Sequence, residues 1–319
     1  MSAPDSQAAA LAERASGTAP DVAASSAGRG GGLTVAGGKP NDVAAEPGGV
    51  ELVIEPPRGW AGVNWAELWR YRELLYFLVW RDFKVRYKQT VLGVAWAILQ
   101  PTFQMVVFTI IFGRLAGLDA EGLPYAVFSY VGLLPWLYFS SGVSTAGLSL
   151  VSQQHLLTKV YFPRLFVPTS AIGTCFVDFC LASVVFAGIL AWYGVMPAWT
   201  VVLVPGLLVV LTMATLGLGY LLAAATVTYR DLRFIVPFLI QTLMYASPVV
   251  WSAAIVPERY QRLMAINPMY GVIDAFRAAV LGRELHWDLL GISTLSAGVL
   301  LVAGLVAFRR TEQRFADIA

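Results

Sequence analysis

The chain has 319 residues, of which 57% are hydrophobic and 13% charged, with a net charge of +2 and a mean hydropathy of +0.66. A soluble domain carries about 25% charged residues, so most of this chain is built to avoid water, and its small net charge argues against nucleic acid as a partner. Cys175 and Cys180 are its two cysteines; on a helix they point about 140° apart, which makes a disulfide between them unfavourable and leaves both as packing residues.

Residues 1–48 are rich in Ala, Gly, Ser and Pro and hold no aromatic residue. Such a segment cannot bury enough surface to offset its ordering entropy, so it reads as a disordered cytoplasmic tail. Its "GGK" is not a nucleotide-binding loop: Leu33 stands where the first Gly is needed and Pro40 replaces the hydroxyl residue. The chain therefore has no ATPase site of its own. Residues 49–90 follow as a cytoplasmic segment that ends in "WRDFKVRYK" (80–88), where Trp80, Phe83 and Tyr87 alternate with Arg81, Lys84, Arg86 and Lys88. This pattern predicts an amphipathic interface helix, its rings at headgroup depth and its cations on anionic lipid or protein.

All charge then stops, and residues 91–319 read as a six-span domain. A helix needs about 20 apolar residues to cross the bilayer. No residue is formally charged between Lys88 and Arg114, or between Glu121 and Lys159. Leu165 to Tyr229 holds one charge, Asp178, and suits two spans broken at "YGVMPAW" (193–199); Phe234 to Pro257 and Leu289 to Phe308 supply two more. Arg81, Lys84, Arg86 and Lys88, then Lys159 and Arg164, Arg230 and Arg233, and finally Arg309, Arg310 and Arg314 flank one side. The excess of cations there places both termini in the cytoplasm. Residues 257–288 disagree, since they hold Arg259, Arg262, Arg277 and Arg283 on the opposite side, balanced by Glu258, Asp274, Glu284 and Asp288. A small folded element accounts for that balance. Asp178, a lone carboxylate at depth, must be paired, protonated or facing water.

Enzyme chemistry finds no footing. His155 and His286 are the only histidines and neither has metal-ligand company at the required spacing. "GLSLVSQ" (147–153) lacks the second Gly of a nucleophile elbow. No catalytic, cofactor-binding or metal site is expected.

Four segments together carry a family resemblance: "WRDFKVRYKQTVLGVAWAILQP" (80–101), "QQHLLTKVYFPRLFVP" (153–168), "TYRDLRFIVPFLIQTLMYASPVVW" (228–251) and "VPERYQRLMAINPMYGVIDAFRAAVLG" (256–282). In that order they resemble the membrane subunit of an ABC-2 type exporter of the polysaccharide group, which exports O-antigen, teichoic acid or related glycans. The likeness covers about residues 65–310. It implies an all-α membrane protein with an N-terminal interface helix, six transmembrane helices and short re-entrant helices between spans five and six. It also implies a multi-pass protein of a bacterial cytoplasmic membrane, two copies of which pair with two copies of a separate ATPase that holds ATP and Mg, to move a polysaccharide or lipid-linked glycan. An ABC-2 exporter of drugs or small lipids, and a stand-alone channel or secondary transporter, are the other classes.

The resemblance also assigns residues. His155, Leu156, Leu157, Lys159, Tyr161, Phe162 and Arg164 match the family's coupling helix, which docks into the ATPase; an extension of the membrane-embedded core fits the same apolar residues. Tyr229, Arg230 and Asp231 match a second cytoplasmic contact, or a local ion-pair turn with Arg233. The family lines its channel with spans one and five. Trp96, Gln100 and Phe103 share one helical face there, as do Phe238, Gln241 and Tyr245, and aromatic rings with occasional amides suit a sliding glycan. Pro257, Asn267, Pro268, Tyr270 and Gly271 fall in the outer gate, read as two short helices that dip into the outer leaflet and return.

Overall fold

Uncharged runs of this length can satisfy their backbone in hydrocarbon only as helices or closed barrels. The computed structural model describes residues 69–88, 93–118, 120, 122–154, 162–229 and 231–315, and these contain helices and turns with no strand. The N-terminal tail and most of the coupling segment, His155 to Tyr161, lie outside the described residues, as does Arg230.

Helix α1 is Arg72–Lys88 and α2 is Ala95–Phe108, continued by one wider π-type turn over Thr109–Leu115. α3 spans Tyr125–Ser152 and α4 Phe166–Tyr193, which stops at Gly194 with φ of 67°. A 3₁₀ turn, Trp199–Leu203, leads into α5, Val204–Thr228. α6 is Leu232–Tyr245, α7 Glu258–Met264, α8 Pro268–Leu281 and α9 Trp287–Phe315.

Five helical stretches among the described residues are long and apolar enough to cross a membrane: α2 with its continuation, α3, α4, α5 with its 3₁₀ turn, and α9. The fifth expected span, over 234–257, takes a different form. Its helix α6 has 14 residues, about 21 Å at 1.5 Å per residue, short of the roughly 30 Å of hydrocarbon. The chain then turns irregularly through Ala246–Trp251, with Ser247 to Val250 buried.

α3 is the hub. Its side chains from Tyr125 to Trp136 are all buried, and α2, α4, α5, α6 and α8 all pack on it. Close approach depends on small residues, which replace the hydrophobic effect as the means of association in lipid. A Cβ on Gly142 would stand 2.6 Å from Cγ2 of Thr215 on α5. Where α5 crosses α9, Gly217 and Gly304 meet backbone to backbone and leave no room for a side chain on either. A separate apolar cluster joins Leu78 of α1 to Leu150, Phe166, Tyr220 and Phe308. The end of α3, the start of α4 and the ends of α5 and α9 therefore gather at α1.

Candidate functional site

α1 lies along α4 because α4 is small there, with Ser170 and Gly173 facing Asp82 and Val79 of α1. A Cβ on Gly173 would reach within 2.7 Å of Val79. The Ser170 hydroxyl donates to Asp82 (3.2 Å), and Arg81 bridges Asp82 and the Gln153 side-chain oxygen (2.6 and 2.8 Å). At the far end Arg86 donates to Asp178 at 2.6 Å, and the Tyr87 hydroxyl donates to the other carboxylate oxygen. Burial, and next the bond to Asp178, push the Tyr87 phenol above its ordinary range. The lone intramembrane acid is therefore paired, with a cation and a phenol that arrive from α1.

That contact divides the interface residues. Arg81, Arg86 and Tyr87 turn toward the protein, so Arg86 does not reach outward to headgroups or a partner as the sequence pattern predicted: ion pairing with Asp178 claims it. Trp80, Lys84 and Lys88 are exposed, with Lys84 Nζ 5.2 Å over the Trp80 ring. Phe83 bridges the two sides, stacked on Trp80 and tilted on Tyr87.

Of the coupling-helix candidates only Phe162 and Arg164 lie among the described residues. Phe162 is buried in the cluster that holds Leu78 and Phe308, so its ring is core and not a docking surface; apolar burial in that cluster outcompetes exposure. Arg164 donates to the Glu312 carbonyl at 3.3 Å. Of the second contact, Tyr229 and Asp231 are both exposed.

All six channel candidates are exposed. Trp96, Gln100 and Phe103 form one strip on α2, and Phe238, Gln241 and Tyr245 one strip on α6; both helices lean on α3 and turn these strips away from it. Behind the α2 strip a half-open cavity of about 320 Å³ lies among α1, α2, α3 and α4.

The segment between α6 and α9 forms two helices, α7 and α8. Asn267 caps α8, accepting from Met269 N–H while its amide donates to Ser247 (3.0 and 2.8 Å). Pro268 begins the helix and Pro257 caps α7. Tyr270 is fully buried, and Gly271 N–H donates to Ser293 of α9 at 3.1 Å; a Cβ there would lie 2.5 Å from that hydroxyl.

Sequence reasoning missed the residues that hold this element to the bundle. Arg277 is 4% exposed and donates to the carbonyls of Trp251 (3.0 Å) and Val249 (2.6 Å). Its guanidinium lies 3.8 Å from the centre of the Phe128 ring. Tyr125 donates to the carbonyl between them, Val250 (2.6 Å). Two side chains thus satisfy the irregular backbone after α6, which solves the requirement for buried non-helical segments. Burial pushes the Arg277 guanidinium down to about 9, against the pull of Asp274 and Tyr125, so it stays cationic at neutral pH. An Arg inside "YGVIDAFRAAVL" (270–281), otherwise an apolar face, was the available signal. Asp274 itself holds His286 at 2.9 Å. Among the described residues no group of three or more metal-ligating side chains comes together.

Residues 73–281, from the start of α1 to the last residue of α8, match the family model for the ABC-2 type transporter. The chain is 34% identical to the O-antigen export system permease protein RfbA of Myxococcus xanthus, over 79% of this chain and 97% of that protein. It is 25% identical to a protein of the same name from Klebsiella pneumoniae, over 77% and 95%. A third relative is the polysialic acid transport protein KpsM of Escherichia coli, at 23% identity over 73% and 91%.

Proposed function

The chain belongs to the ABC-2 type transporter family, and from that premise we propose that it is the membrane-spanning subunit of an ATP-driven exporter of polysaccharide. The observation that carries this reading is the 34% identity to an O-antigen export permease across 97% of that protein's length. The substrate is a glycan, lipid-linked in the fullest form of the proposal, moved across the cytoplasmic membrane of a bacterium. Two copies of the chain work with two copies of a separate ATPase that binds ATP and Mg. Six crossings place both termini in the cytoplasm, with α6 and its buried turn completing the fifth.

Work enters through α1. Arg86 and Tyr87 tie α1 to the middle of α4 through Asp178, and α1 leads by chain into α2. Displacement of α1 by the ATPase therefore shifts two spans together. α2 carries the aromatic strip Trp96 and Phe103, which with the α6 strip of the same and the second copy walls the path. Aromatic rings meet the C–H faces of sugars, and Gln100 and Gln241 meet their hydroxyls without fixing any one ring. The outer helices α7 and α8 close the far end.

The test is a deletion of the gene with surface polysaccharide as the readout. Loss of surface glycan, with glycan accumulating inside the cell and restoration by a plasmid copy, is the expected result. Unchanged surface glycan would sink the proposal.

A further inference from the structure

We propose that the cavity among α1, α2, α3 and α4 is a subsite for one neutral sugar unit, lying inside a single copy of the chain and to the side of the path. The inference rests on the reading of the chain as a glycan exporter and adds to it a site, a stoichiometry and a charge preference. At about 320 Å³ the cavity falls at the small end of ligand sites, which run from about 300 to 1,000 Å³. That is room for a ring and not for a chain.

Its lining is mixed. Leu134, Leu137 and Phe179 are apolar, Trp96 has 56% of its surface exposed, and Gln100, Tyr138, Ser141 and the Asp178 carboxylate bring polar groups. A sugar ring has the same mixture, an apolar C–H face and an edge of hydroxyls.

The charge balance narrows the ligand further. Arg86 and Asp178 are the only charged residues among the described lining residues, and they neutralise each other at 2.6 Å. A phosphate or uronate would have to compete with Asp178 for Arg86 and would leave a carboxylate beside its own negative charge. A neutral ring avoids both costs. Among the described residues each Asp178 oxygen takes one bond, from Arg86 and from Tyr87, whereas a carboxylate offers about four acceptor positions. The remaining ones suit sugar hydroxyls, which donate. Gln100 brings both a donor and an acceptor one helical turn beyond Trp96. A hydrocarbon tail in the same place would set apolar atoms against the Gln100 amide and the remaining acceptor positions of Asp178, which favours a ligand that carries hydroxyls.

The experiment is saturation-transfer NMR on the full-length chain in lipid nanodiscs. The probes are the methyl glycosides of glucose, galactose, mannose and N-acetylglucosamine, with glucuronate and glucose 1-phosphate as anionic counterparts. At least one neutral glycoside should receive saturation at its ring C–H protons, and the anionic sugars should not. Ala97→Phe, which fills the cavity, should abolish the signal. Gln100→Leu, at an exposed position that folding tolerates, should reduce it roughly tenfold, the loss of about 1.4 kcal/mol.

The proposal is overturned if no neutral glycoside is saturated, if the anionic sugars are preferred, or if the signal survives both substitutions. Surface glycan scored in parallel separates the two ideas. Export by the wild type without saturation removes the subsite and leaves the exporter standing, whereas surface glycan that persists in a deletion strain removes the exporter.

Discussion

α2 and α3 are consecutive apolar helices of comparable purpose, yet 83% of the membrane-length window of α3 is buried inside the chain and 6% of that of α2. Overall apolar character does not separate them. α3 has Gly132, Gly142 and Gly147 where neighbours press close, so other helices can surround it. α2 presents Trp96, Leu99, Phe103 and Val106 outward, and no helix among the described residues covers them. In a membrane the apolarity that lets a helix cross is no guide to what it touches, because lipid is as good a neighbour as protein. Small residues mark the helix that proteins surround, and large rings on the outer face mark one that is left for lipid, for a second copy or for a passing substrate.

This contrast can be broken by substitution, and the largest effect belongs to α3. In Gly132→Ala the new Cβ would sit 2.6 Å from an Arg277 terminal nitrogen and 2.7 Å from the Val249 carbonyl oxygen. Overpacking and a weakened charged hydrogen bond together cost roughly 3–5 kcal/mol. The purified variant should lose its monodisperse elution profile or melt far below the wild type, and wild-type melting would refute the crowding at this helix. Arg277→Met comes next. It strands the Val249 and Trp251 carbonyls, for a loss of about 2–3 kcal/mol, while Arg277→Lys restores part of the melting temperature by reaching one of them.

Asp178→Asn tests the seam between α1 and α4. Both partners of the ion pair keep some exposure, 33% and 24%, so the stability loss is held to about 1–2 kcal/mol. A double-mutant cycle with Arg86→Gln should return a coupling of similar size, and additive losses would mean that the pair does not act as a unit. Surface glycan should fall further than the melting temperature suggests, because the link also transmits movement. The smallest stability effect is assigned to α2. Phe103→Ser should stay within about 0.5 kcal/mol of wild type and still lower export by removing a ring from the path wall. If it destabilises the chain as much as Gly132→Ala, the bare face of α2 is no bare face at all.

The sequence by itself determined that the chain lives in a membrane, that its regular elements are helices, and where most of them begin and end, because uncharged length is a one-dimensional property. It also marked the helices α7 and α8 through Pro257, Asn267 and Pro268, and the requirement that Asp178 be paired, protonated or facing water. What it did not hold was the partner. Arg86 is 92 positions from Asp178, and its neighbours in "WRDFKVRYK" gave it the look of an exposed cation. Phe162 fitted either a docking surface or an extension of the core, and it is buried in the core; Arg277 read as one balanced charge in a small folded element and is the buried bolt for the turn after α6. That residues 234–257 hold a 14-residue helix and a buried turn in place of one long helix was hidden for the same reason: a stretch without charge looks the same whether its backbone is helical or turned, and the carbonyls of Val249, Val250 and Trp251 can leave the helix only because Arg277 and Tyr125 reach them from elsewhere. Local composition sets what a segment can tolerate, and hydrogen-bond partners brought by the fold decide which of the tolerated states it takes.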